Sequence, residues 1–411
     1  MVAALDPQSS IPMKPPRDLL ILSISFFFIF MGAGAVQQHL TSVPVVQAHS
    51  TYVLAILYTA MMIGRVFVAY SIVKLGGFLS EILGAVTYFL FALGLGLLNR
   101  VEWVYLLAVI WGLGGSSMWI TSGCHILEAS QRRHYGTASG FFYMMSLTGQ
   151  TLGVFLLQVV VTWAAVHGKS PRIMPLVAAG ITLIGIAVMF GVEKGVSFKE
   201  EFRFSSFYRI LVDERMFLVG IVQLLAAMCF GILLGVFQDY SKAKLGNQYP
   251  AVAFFAIKAL MSVMGGRLSD FLGRDRILRY GFLLSTAGML IAGMWTSRPM
   301  LSLSLCALAL GTQAALVPTA STALVGDLVA GERRHLGLGA IFVWRDVGVV
   351  VALLFGKALA GLLGGQPLAI GPISLQGQQV VFLVFALVFA FCALITAWLT
   401  KKLTACRGTS L

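Results

Sequence analysis

Arg132-Arg133-His134-Tyr135-Gly136 returns 201 residues later as Arg333-Arg334-His335-Leu336-Gly337. The residues that follow repeat too: Gly140, Gly149 and Gly153 are matched by Gly339, Gly348 and Ala352, at an offset of 199. One short basic string can recur by chance. Two matches at nearly one offset, each between long apolar runs, indicate a chain made of two related halves. Small residues at these positions let helices approach closely where one half must slide on the other.

Outward from the repeat, cutting the chain at clusters of charge, Pro and Gly leaves apolar pieces long enough to test. A span needs about 20 apolar residues to cross a hydrocarbon core of about 30 Å. Twelve pieces qualify, roughly 19–40, 52–73, 78–98, 102–127, 137–165, 173–192, 216–239, 250–266, 277–296, 300–325, 336–364 and 378–400. The expected fold is an all-α membrane protein of twelve transmembrane helices in two pseudo-symmetric six-helix bundles. The bundles occupy 1–192 and 216–411, joined by a linker at 193–215. In that linker Phe198, Phe202, Phe207 and Leu211 recur at helical spacing among charges, which predicts an amphipathic helix on the inner leaflet.

Composition agrees. Of 411 residues 58% are hydrophobic and 11% charged, where a soluble domain is about 25% charged. Such a chain is not a water-soluble enzyme, a nucleic-acid binder or a disordered protein. The net charge of +13 is read as basic loops held at an anionic leaflet. Five cysteines form neither a disulfide frame nor a metal spacing. With no Walker loop, zinc spacing or nucleophile elbow, neither an enzyme nor an ATP-driven pump is expected, and no metal or cofactor.

Lysine and arginine set the orientation. With both termini cytoplasmic, the inner side holds twenty of them, Lys14, Arg65 and Lys74 included, and the outer side six. Arg65, at the inner end of span 2, is read first as a topology anchor, with a gate across to span 11 as the alternative. The first run is too long, and its exit Gln37-Gln38-His39 too polar, for a cleaved signal peptide. Without extramembrane domains or glycosylation sequons, a monomer in a bacterial inner membrane is expected.

At motif level the chain resembles the major facilitator superfamily. The loop between spans 8 and 9 reads Gly266-Arg267-Leu268-Ser269-Asp270-Phe271-Leu272-Gly273-Arg274-Asp275-Arg276. Gly266, Asp270, Gly273 and Arg274 fit that family's signature, and Asp275 departs from it. The first-half equivalent keeps Lys74 and Gly76 but has Val73 where the aspartate belongs. The resemblance implies a charge latch that caps a facing helix end and holds the outward-facing state, with Arg132, Arg133, Arg333 and Arg334 joining it, and His125 and Glu128 beside them. The helix 5 glycines resemble a family antiporter motif, but Val154 replaces its proline. Trp119-Ile120-Thr121 is similar to a Trp-Thr element of one branch.

The residues expected to carry chemistry are buried charges, because Lys, Arg or Asp at mid-span costs about 2.5–3.5 kcal/mol on insertion scales. Lys258 lies midway along span 8. Arg345 is eleven residues beyond Arg334, a depth of about 16 Å, and Asp346 follows it. Neighbours on a helix point about 100° apart, so Arg345 and Asp346 are not expected to neutralise each other simply. In the architecture the resemblance implies, spans 8 and 11 flank a central cavity, and a basic residue on each resembles carriers of small carboxylates, the oxalate and formate exchangers among them. Lys258 and Arg345 are therefore expected to bind an anion, with Asp346 neutralising a cation in the empty cavity or taking up a proton for coupling. A structural Lys258–Asp346 ion pair is the bland alternative, and Lys357 is expected to snorkel at the outer end of span 11.

Gln38, Trp119, Tyr143 and Gln313 are added as substrate contacts. Ser146, Gln150, Gln223 and Pro318 stand behind them, and a polar side chain of this tier is by itself more often interhelical glue than a ligand contact. The expected function is secondary transport of a small organic anion, with protons or by exchange. Multidrug or metabolite efflux is one alternative, and a non-transporting receptor or regulator, favoured by Val73, is another.

Overall fold

The computed structural model describes residues 17–192, 204–245, 249–329, 333–363, 368–370, 373–375 and 377–405. Span 1 is α1 (Arg17–Ile29), a π-helical turn (Phe30–Gly34) and a 3₁₀ turn (Gln37–Ser42). Then come α2 (Ser50–Leu75), α3 (Gly77–Leu97), α4 (Val101–Glu128), α5 (Tyr135–Val166) and α6 (Ile173–Met189), with the linker helix α7 (Phe204–Val212) after them. Span 7 is α8 (Glu214–Ile232), a π turn (Leu233–Phe237) and α9 (Gln238–Leu245). Spans 8 to 12 are α10 (Tyr249–Leu272), α11 (Arg274–Met294), α12 (Pro299–Leu328), α13 (Arg334–Leu363) and α14 (Gly377–Ala405). Among the described residues eleven helices are long and apolar enough to cross a membrane, and α6, at 17 residues, is a shorter apolar one. A small hairpin absent from the sequence reading, β1 (Leu368–Ile370) antiparallel to β2 (Ile373–Leu375), precedes α14.

Local chemistry sets the ends. Asp213 caps α8, its Oδ1 accepting from Arg215 N at 3.0 Å and Met216 N at 3.3 Å, as an N-cap aspartate does. Gly76 and Gly273 carry φ of +78° and +100°, so the α2–α3 and α10–α11 turns use glycine where a side chain would be strained. The repeat is visible in backbone geometry as well, since the π turns of spans 1 and 7 lie 203 residues apart. Broken backbone inside a membrane needs polar partners. In span 1 these are Thr182, whose Oγ1 accepts from Ala33 N at 2.9 Å, and Gln150, whose Nε2 donates to the Gly34 carbonyl at 3.2 Å.

Two hydrophobic clusters hold the molecule. One is centred on α1–α6 and borrows Ala227, Leu234, Ala259, Val349 and Leu353. The other is centred on α8–α14 and takes in Val68, Ile72, Ile120 and Leu127. The two halves are therefore packed on each other. Linker residues Phe198 and Phe202 lie outside the described residues, as does Lys14. Phe207 and Ile210 of α7 are 2% and 8% exposed and join Val68, Ile72 and Ile120 in the second cluster. This corrects the expectation for that face, which packs on protein; Phe204, Tyr208 and Val212 are the exposed apolar side chains of α7.

Candidate functional site

A cavity lies between the halves. Its first-half wall is Phe30 and Gln37 of span 1, Leu57, Tyr58 and Met61 of α2, Tyr88 of α3, Trp119 of α4, and Tyr143, Ser146, Leu147 and Gln150 of α5. The second half adds Gln223, Ala226, Ala227 and Phe230 of α8, Lys258 and Ser262 of α10, Ala314, Ala315 and Pro318 of α12, and Arg345 and Val349 of α13. Six of the 22 lining side chains are aromatic, the largest apolar surfaces of the wall. Trp119 stacks on Tyr143 with ring centroids 6.0 Å apart, and its Nε1 donates to Tyr88 Oη at 3.1 Å.

The buried charges form a chain away from this cavity. Arg345, partly exposed on the cavity wall, donates from Nε and Nη2 to Asp346 Oδ1 at 2.9 and 2.8 Å. The fully buried Asp346 receives Arg65 Nε on its other oxygen at 3.1 Å, and Arg65 also donates to the Ser116 carbonyl at 2.8 Å. Two expectations are corrected here. The arginine side chain is long enough to fold back round the helix, so Arg345 and Asp346 do pair directly. Arg65 is no inner-end anchor: it is 0% exposed and reaches from α2 across to α13. Phe342 lies beneath both guanidinium groups, 4.9 Å from each.

Lys258 is not paired with Asp346, contrary to the structural ion-pair reading. Its Nζ lies 5.4 Å from the Phe230 ring centre and 5.8 Å from that of Phe254. Cation–π contacts return about 0.5–2 kcal/mol, less than the several kcal/mol of burying an ammonium. Three basic groups in and behind the cavity wall thus face one carboxylate, leaving an excess of two positive charges.

Gln38 and Gln313 lie elsewhere. Gln38 Oε1 accepts from Gln238 Nε2 at 2.7 Å, joining spans 1 and 7 across the two halves. Gln313 is 0% exposed, close to Gly281 of α11, with neither amide atom bonded to a described group. Lys357 is exposed, with Nζ 3.4 Å from Thr51 Oγ1 and 5.7 Å from the Tyr52 ring centre.

The loop around Asp270 joins the halves at one end, termed here the latch end. Asp270 accepts from Gly136 N at 3.1 Å, and from Thr137 N and Oγ1 at 2.8 and 2.9 Å. It thereby caps α5 of the opposite half, where a negative charge also meets the positive helix end. Arg274 bonds Asp327 at 2.8 Å and approaches Asp270 at 3.6 Å, while Arg132 holds Asp327 at 3.3 Å. Arg334 donates to Tyr135 Oη at 2.5 Å. Arg133 turns out to Gln131, and Arg333 is exposed. Glycine makes this contact possible: a Cβ on Gly266 would stand 2.2 Å from the Gly136 carbonyl, and one on Gly140 2.4 Å from that of Ser262. At Val73 no such cap exists; Val73 packs into the cluster that holds Phe207.

The Asp270 geometry yields the first expected result. Asp270→Asn should slow any transport cycle while leaving ligand binding within a few-fold, because the residue biases a conformational equilibrium without touching the cavity. Equal loss of both would place Asp270 in the binding machinery.

Two helical bundles with a cavity between them are the architecture that alternating-access carriers use. The family model described as Major Facilitator Superfamily matches residues 216–408. Protein unc-93 homolog A of Bos taurus is 22% identical over 405 residues, covering 84% of this chain and 88% of that protein. The family match is carried by the second half of the chain; with eleven apolar helices of spanning length among the described residues, the protein is a multi-pass membrane protein whose second half is of the transporter type.

Of the side chains expected from sequence to contact substrate, Lys258, Arg345, Trp119 and Tyr143 line the cavity. Sequence reasoning missed Tyr58, Tyr88, Phe30 and Phe230, which no pattern separates from lipid-facing aromatics. Arg65 lies ten residues before the end of α2, a depth that could have placed it in the interior.

Proposed function

We propose that this protein is a secondary carrier of a small organic anion, bound in the cavity by Lys258 and Arg345. The observation that carries this is the excess of two positive charges in and behind the wall of a cavity that six aromatic side chains also line. An anion between Lys258 and Arg345 replaces the hydration both have lost, and attraction in a low-dielectric cleft is strong. Trp119 and Tyr143 contribute flat apolar surface for the body of the cargo. Of the two roles expected for Asp346, the geometry favours neutralising the arginines when the cavity is empty. Carriage proceeds as a monomer with protons or by exchange, in a bacterial inner membrane. Thermal unfolding of the purified protein against a panel of carboxylates, cationic drugs and metal ions tests the reading. Stabilisation by a carboxylate supports it, and stabilisation by cationic drugs alone would move it to efflux.

A second reading, a regulator that kept the fold without the cycle, rests on Val73 in place of the first-half aspartate. Carboxylate binding with no flux in proteoliposomes would favour it. Both termini and the latch end are assigned to the cytoplasm. Arg333→Cys in intact cells should resist impermeant thiol reagents and react only in inverted vesicles; labelling from outside reverses the orientation.

A further inference from the structure

Behind the latch lies a second group of buried charges that the anion site does not use. Glu81 of α3 is 0% exposed, and neither of its carboxylate oxygens has a hydrogen-bond donor among the described residues. Its nearest ionisable neighbour is His125 of α4, with Nδ1 3.9 Å from Oε2; that nitrogen too lacks a hydrogen bond, and His125 is 5% exposed. The other groups acting on the pair are Asp18 of α1, Cys124 and Glu128 of α4, and, through Glu128, Arg334 of α13.

A naked carboxylate is too costly to keep in such a place. The pair therefore holds one proton in this state, either as carboxylate with imidazolium or as carboxyl with neutral imidazole. In both forms its net charge is zero, and no third group is needed to balance it.

Its position connects it to the contact that must open. A Cβ on Gly123, two residues before His125, would lie 2.9 Å from Leu338 Cδ1, and one on Gly326 would lie 2.9 Å from Leu127 Cδ2. The segment of α4 carrying His125 is thus pressed against α12 and α13 of the other half. Separation of the latch end removes Leu338 and Arg334 from this segment and brings water to it.

We propose that Glu81 and His125 form a proton-binding site, distinct from the anion cavity, that is loaded when the latch end is closed and releases its proton to the latch-end compartment when it opens. This rests on the transport reading only in that the proton becomes the coupling ion; the closed-state proton itself does not depend on what the cavity binds. No covalent step is involved, and the proton moves between the pair and water.

The sign follows from linkage. A state that binds one more proton is favoured at low pH, so the closed-to-open ratio should fall up to tenfold per pH unit across the titration. The test is a spin-label distance measured between Gln131→Cys and Arg276→Cys, next to Arg132 and two residues beyond Arg274, which meet across the latch at 3.4 Å, in a background whose five cysteines are serine. Protons alone are the probe, between about pH 5 and pH 9, the range a histidine-linked site spans. The expected result is a short distance at low pH and a growing long-distance population at high pH. Glu81→Gln, which mimics the loaded carboxyl, should stay short throughout, and His125→Asn should shift or abolish the response if Glu81→Gln does not fold. Arg345→Gln should keep the response even though it loses anion binding, which separates failure of this site from failure of the anion reading. An unchanged pH response in both Glu81→Gln and His125→Asn, or no response in the unmutated pair, overturns the proposal.

Discussion

Lys258→Gln and Arg345→Gln should each weaken binding of whichever carboxylate stabilises the protein by about 2 kcal/mol or more, roughly thirtyfold in Kd, as expected when one partner of a desolvated charge pair is lost. The two losses should differ in kind. Lys258 rests on aromatic rings with no carboxylate partner, so its removal takes away an uncompensated charge, and the ligand-free variant should be at least as stable as the unmutated protein. Arg345 is tied to Asp346, so its removal leaves that carboxylate with Arg65 alone. A lower melting temperature without ligand is then expected for Arg345→Gln and not for Lys258→Gln. Calorimetric titration and thermal unfolding of the same two samples separate these outcomes. If both variants bind normally, the charges are structural.

The second large effect belongs to Asp346. Asp346→Asn removes the one carboxylate between two guanidinium groups and should destabilise the protein by about 3–5 kcal/mol, the loss usual when a buried ion pair is broken from one side. Arg65→Gln in the same chain should recover much of that loss, because the charge left uncompensated behind the cavity goes with it. Coupling between neighbours of this kind is what a double-mutant cycle measures. An added carboxylate should also raise the melting temperature of Asp346→Asn more than that of the unmutated protein, since ligand binding to the folded state adds stability by mass action and the freed Arg345 is a better anion partner. Additive effects of Asp346→Asn and Arg65→Gln would mean that the bridge between α2 and α13 contributes little.

The same residues mark how far the sequence could be read. Lys258, Arg345 and Asp346 were legible because a charge inside a run of twenty apolar residues is costly whatever surrounds it. Asp270 was legible because its loop keeps glycine and arginine at fixed spacing. Arg65 was read first as an anchor because a cation toward one end of a span looks like one, and only the position of α13 chooses the other reading, a reach across to span 11, with its partner 281 residues away. Gln313 looked like Gln223, yet Gln223 lines the cavity while Gln313 faces α11. The difference is a rotation about the helix axis, and a helix apolar on nearly every side carries too weak a periodicity to fix it.

The latch at the end of span 8 was implied by the family resemblance of its loop, whereas hydropathy and the internal repeat by themselves determined that the chain is a membrane protein in two related halves. These follow from the cost of water-free polar backbone and from helix length, which act on each segment separately. Which charges meet, which face of each helix turns inward and where the cavity lies were decided only by the tertiary structure. Those depend on contacts between residues far apart in the chain. The Arg65–Asp346–Arg345 chain and the Glu81–His125 pair come into being only when α2 meets α13 and α3 meets α4.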